Sequence, residues 1–80
     1  MIKHTWKMIV RTSKKNSAFF YHLLEAHEGL CAYSTLEGFE NMDTRDMELL
    51  IPEERVSEVR ELMKDWQDFV TVISDAKPLA

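Results

Sequence analysis

The sequence predicts an α+β fold of the ferredoxin-like kind, βαββαβ, with two helices on one face of a four-stranded antiparallel sheet. Three observations predict it. Four stretches alternate apolar and polar residues or are rich in β-branched ones, as strands do. Two stretches repeat apolar residues at spacings of three and four, as helices do. Their order is strand, helix, strand, strand, helix, strand, with only a short turn between the middle strands. Right-handed crossovers then put the first and third strands in the centre of the sheet. The chain has 80 residues, enough for one domain and no second. Residues 1–75 form that domain in this reading, and 76–80 a loose C-terminal tail.

Residues 5–11, TWKMIVR, alternate cleanly. Trp6, Met8 and Val10 share one face; Lys7, Ile9 and Arg11 share the other. The segment TSKKNS then breaks the pattern, and Ser13 is placed to cap a helix by accepting from a free backbone N–H. From Lys14 the period changes. Phe19, Phe20, Leu23, Leu24 and His27 form an apolar stripe roughly 100° wide on a helix. Gly29 suits the left-handed conformation that closes a helix, and Leu30 is placed to pack back on its last turn. Residues 30–36, LCAYSTL, form the second strand, with Leu30, Ala32, Ser34 and Leu36 on one face and Cys31, Tyr33 and Thr35 on the other.

Residues 37–43, EGFENMD, have turn composition. Residues 44–51, TRDMELLI, form the third strand, with Met47, Leu49 and Ile51 opposite Asp46, Glu48 and Leu50. Pro52 ends it and opens a helix, where its missing N–H does least harm. Glu53 and Glu54 favour the positive end of that helix. Val56, Val59, Met63 and Trp66 form its apolar stripe, flanked by Leu62 and Phe69, and its other face is charged. Residues 69–74, FVTVIS, form the last strand. The predicted core joins Phe20, Leu23, Leu24, Val56, Val59, Met63 and Trp66 to Trp6, Met8, Val10, Met47, Leu49 and Ile51.

Composition narrows the function. With 45% hydrophobic and 30% charged residues, the chain reads as a soluble globular domain. Its formal net charge is −4, and its one short basic cluster is Lys14-Lys15, which argues against nucleic acid as a partner. No apolar run approaches the length of a membrane span, and the first ten residues lack a signal-peptide core. A single cysteine excludes an internal disulfide and a cysteine-built zinc site. A cytoplasmic setting is therefore expected, with no metal and no cofactor. A domain this small has little core to stabilise it, so a second copy of the chain is the expected supplement.

The segments FFYHLLEAHEGLCAYSTLE and MELLIPEERVSEVRELMKDW resemble a family of small bacterial domains of unknown function, with the most specific likeness at LLEAHEGL. The match runs from Phe19 to Trp66. The resemblance implies an ACT-like version of the ferredoxin fold and brings no activity with it. ACT domains are regulatory modules that bind amino acids near the loop after the first strand, at a paired-domain interface. That loop typically carries Asp and Gly; here it reads RTSKKNSA, with neither. Arg11, Ser13 and Asn16 occupy the equivalent region and are the candidate residues for an anionic or amino-acid-like ligand.

The densest chemistry lies in AHEGLC. His27 and Cys31 stand four apart, the spacing of paired ligands on a helix, but Gly29 ends the helix between them. His22 and His27 stand five apart, about 140° around a helix. A nucleophilic Cys31 would need His27 as a base and a third, orienting group. The stretch is better read as a helix stop, and the chain as a non-enzymatic homodimeric module for ligand sensing or assembly. A small thiol-dependent enzyme using Cys31 and His27 is the alternative.

The homodimer has a specific motive. Two helices cover one sheet face, so the other should be polar throughout, yet it carries Ile9, Tyr33, Leu50 and Ile73. Ala32 and Val72 are the substitutes on their strands. These residues are the expected interface, with rim charges such as Arg11 and Glu48 orienting two copies. Pairing of strand edges is the competing geometry.

Overall fold

The computed structural model describes residues 4–36 and 43–79. Its elements are β1 (Thr5–Ser13), α1 (Lys14–Ala26), β2 (Ala32–Thr35), β3 (Thr44–Pro52), a 3-10 turn (Glu53–Arg55), α2 (Val56–Asp65) and β4 (Val70–Pro78). The strands form one antiparallel sheet in the order β2-β3-β1-β4. This is the ferredoxin-like arrangement, with β1 and β3 central. Of the predicted turn at 37–43, residues 37–42 lie outside the described residues.

Strand β1 runs straight into α1. Ser13 ends the strand in an extended conformation (φ −70°, ψ 150°), and its Oγ accepts from the Asn16 N–H at 3.1 Å. The helix closes at His27, whose N–H reaches the Leu24 carbonyl. Gly29 then takes φ 72°, where a side chain would be strained, and the Leu30 N–H returns to the His27 carbonyl at 2.9 Å. That return buries Leu30 against the core.

The core joins Met8 and Val10 of β1, Met47, Leu49 and Ile51 of β3, Phe20 and Leu24 of α1, and Val56, Val59 and Met63 of α2. Leu30, Val70 and Ala76 complete it. Trp66, just past α2, meets Phe20 edge-on with ring centres 6.0 Å apart. Trp6 packs at the margin, with the Arg60 guanidinium 5.8 Å from its ring.

Four details differ from the sequence reading. Phe19 is 55% exposed and Leu23 only half-buried, because α1 turns Ser17, Phe20 and Leu24 inward instead. The second helix begins after a 3-10 turn rather than at Pro52. The second strand is confined to Ala32–Thr35. The last strand does not stop at Ser74 but runs to Pro78, so residues 76–78 are strand and not loose tail. Tertiary contacts hold that extension. Ala76 is buried, its carbonyl accepts from Arg60 at 3.3 Å, and the Leu79 N–H donates to the Thr5 carbonyl at 2.8 Å.

Candidate functional site

The open face of the sheet follows from the alternation of its strands. Since Met8, Val10 and Thr12 are buried beneath the helices, Lys7, Ile9 and Arg11 point the other way. The β1–β3 register sets Lys7 opposite Leu50, Ile9 opposite Glu48, and Arg11 opposite Asp46. On β2, Ala32 stands opposite Leu50 and Ser34 opposite Glu48. The face is therefore banded: acids on β3, bases on β1, and a diagonal pair of half-buried apolar residues, Ile9 and Leu50, in the middle.

At one end of this face a single ion pair is locked within the chain. Arg11 Nε donates to Asp46 Oδ1 at 2.7 Å and Nη2 to Oδ2 at 3.0 Å, the two-pronged geometry that makes arginine–carboxylate pairs strong. The side chains differ in exposure, 44% for Arg11 and 7% for Asp46. The guanidinium hydrogen bonds hold the Asp46 carboxyl below its ordinary pKa and raise that of Arg11. The sequence reading directs Arg11 toward Glu48 of another copy; the structure commits it to Asp46 of its own. Among the described residues no ion pair engages Lys7 or Glu48.

Of the four expected interface residues, Ile9 and Leu50 lie on the open face. Tyr33 does not. It stands opposite buried Leu49 and stacks on Tyr21 of α1, with ring centres 5.1 Å apart and planes 14° from parallel. Its hydroxyl donates to Glu25 at 2.7 Å, which raises the phenol pKa. Ala32, its neighbour, takes the open-face position. Ile73 is exposed but lies at an irregularity: Val10 pairs with Val72 and Ile9 with Ser74, leaving Ile73 without a partner in the register.

Of the three candidate ligand residues, Arg11 is held by Asp46, and Ser13 is occupied as the cap of α1 through the Asn16 backbone N–H.

Cys31 and His27 are drawn apart in role. His27 faces α2, with Nδ1 4.0 Å from Glu58 and its ring 6.0 Å from that of Trp66. Cys31 lines a hollow of about 520 Å³ with His4, Thr5, Leu50, Pro52 and Glu54. Burial pushes its pKa up to about 11 despite the nearby Arg55, so the thiol is protonated at neutral pH and is a poor nucleophile. Among the described residues no three metal-binding side chains come together as a candidate site. Among the described residues, no helix is long and apolar enough to cross a membrane.

Sequence reasoning missed a groove of about 730 Å³ between α2 and β4. Met8, Met63, Val70 and Val72 form its floor, and Arg60, Glu61, Lys64 and Asp75 its rim. The rim charges are paired with one another, Arg60 to Asp75 at 3.2 Å and Lys64 to Glu61 at 3.3 Å. The signal was present in VTVI, whose valines alternate, but the groove depends on how far α2 stands from the sheet edge.

No protein-family model matches the sequence, and no curated protein is significantly similar to it.

Proposed function

We propose that this chain is a non-catalytic, ACT-like module of the cytoplasm that works as a homodimer, for sensing a small ligand or for assembly. One observation carries the reading: the open sheet face holds Ile9, Leu50 and Ala32 between charges of both signs, two of which, Lys7 and Glu48, lack an ion-pair partner among the described residues. Apolar residues clustered at the centre of a sheet face and rimmed by charge are the pattern of an interface. The enzymatic reading loses support at Cys31. A thiol with a pKa of about 11 lacks the thiolate that nucleophilic chemistry requires.

Light scattering at high micromolar concentration tests the proposal; the mass of two chains is expected, and the mass of one chain overturns it. A thermal-shift screen of amino acids then separates sensing from assembly. A ligand that binds only the folded form raises the melting temperature as its concentration rises, and no shift with any of them favours assembly. Under either role, alkylating Cys31 leaves the dimer mass unchanged.

A further inference from the structure

Accepting that the chain is a homodimer, we propose that two copies pack open face to open face about a twofold axis parallel to their strands, so that β3 of each lies over β1 of the other. The charge bands decide the axis. On β3 the open face presents Glu48, with Asp46 buried beneath its pair with Arg11; on β1 it presents Lys7 and Arg11; Ile9 and Leu50 lie between. A twofold axis across the strands sets each row over itself, with Glu48 against Glu48 and Lys7 near Arg11. An axis along the strands sets each row over the opposite one. Glu48 of one copy then lies over Ile9 of its mate, flanked by Lys7 and Arg11. The 10 Å spacing typical of stacked sheets lets a lysine and a glutamate meet across it.

Three further observations fit this occupant. The whole chain carries a net charge of −4, yet the open face has two bases against two acids on its central strands. Its central strands are therefore a surface on which two copies need not repel each other. Lys7 and Glu48, the two charges the axis brings together, have no ion pair of their own among the described residues. One rival surface, the β4 edge, is guarded. Two register shifts interrupt its pairing with β1, and Asp75, Lys77 and Pro78 occupy its second half, the features by which natural edge strands avoid further pairing.

The test uses Lys7→Glu and Glu48→Lys, made separately in the full chain and then mixed one to one, with sedimentation velocity and native mass spectrometry as the readouts. Circular dichroism checks that each remains folded. Each variant alone sets like charges together twice across the axis, and its dimer should weaken about tenfold or more. The mixture should recover a dimer containing one copy of each, because the glutamate introduced at position 7 of one copy then meets the lysine introduced at position 48 of the other. Wild-type dimers with no recovery in the mixture overturn the axis but not the dimer. Single variants that dimerise like wild type overturn the face itself in favour of an edge. A monomeric wild type overturns both this inference and the proposal it rests on.

Discussion

The two faces of the sheet are built from the same strands and differ in almost everything else. Beneath the helices, Met8, Val10, Met47, Leu49 and Ile51 are all but fully buried, an apolar layer with Thr12 at its edge bonded to the Phe69 carbonyl at 2.9 Å. One residue along each strand, the chemistry becomes Lys7, Ile9, Arg11, Asp46, Glu48 and Leu50. The covered face is indifferent to which apolar residue lies where, within packing limits. The open face has an order, with acids on one strand and bases on the next. Burial alone makes a core; a pattern of charge gives a surface direction, and direction is what a partner can recognise.

Substitutions on adjacent residues sharpen that contrast. Phe20→Ala removes a fully buried ring from the covered face and should cost about 3–5 kcal/mol, measured by urea denaturation. Its neighbour Phe19, exposed but touching Phe69 with ring centres 5.4 Å apart, should lose only about 0.5–1.5 kcal/mol on the same change. Equal costs would mean that α1 is rotated from its described orientation. On β3, Leu49→Ala should cost about 2–5 kcal/mol. Leu50→Ala should cost much less in dilute solution, where any dimer is dissociated, and weaken association instead. If Leu50→Ala destabilised the dilute protein as much as Leu49→Ala, the two faces would not be distinct.

A smaller effect belongs to the ion pair. Asp46→Asn should cost about 1 kcal/mol at neutral pH. Because the folded-state pKa of Asp46 is lowered, its contribution is complete above the unfolded carboxylate pKa and disappears as the pH falls through the folded one. Wild type and variant should therefore converge in acid. A constant gap down to the lowest accessible pH would show that the pair's electrostatics are not what Asp46 contributes.

The last effect, confined to alkaline pH, concerns Cys31. With its folded pKa raised to about 11, the unfolded thiol ionises first as the pH rises. Stability should therefore decline from about pH 9 to 11, and Cys31→Ser should flatten that decline. Iodoacetamide should label the native protein slowly at pH 8 and the urea-unfolded protein quickly. Rapid labelling of the native protein would revive Cys31 as a nucleophile.

Much of the fold was legible because period carries structure. The alternation of TWKMIVR and TRDMELLI predicts which residues of β1 and β3 face the helices, and the spacing of Val56, Val59 and Met63 predicts the buried stripe of α2. The open face was legible to the same extent, since Ile9 and Leu50 follow from the parity of their own strands. Parity failed where a strand is short or irregular. Four residues of β2 contain too little alternation to say which face is inward, so sequence alone sets Tyr33 among the open-face residues. Pairing with Leu49 and stacking on Tyr21 turn it to the helices. Ile73 sits where β4 slips register, and no period predicts a slip.

The sequence by itself determined the order of the six elements, the Ser13 cap, the Gly29 stop, and the apolar faces of β1, β3 and α2, all of which depend on residues at most a few positions apart. Tertiary structure decided what depends on residues far apart in the chain. It paired Arg11 with Asp46, 35 positions away, and so tied one edge of that guanidinium to its own chain. It anchored the last residues of β4 through Arg60 and Thr5, and it buried Cys31 until its thiol held its proton. The reason is one of reach: periodicity and capping are set by neighbours along the backbone, whereas register, burial and charge pairing are set by whichever strand or helix the closed fold brings alongside.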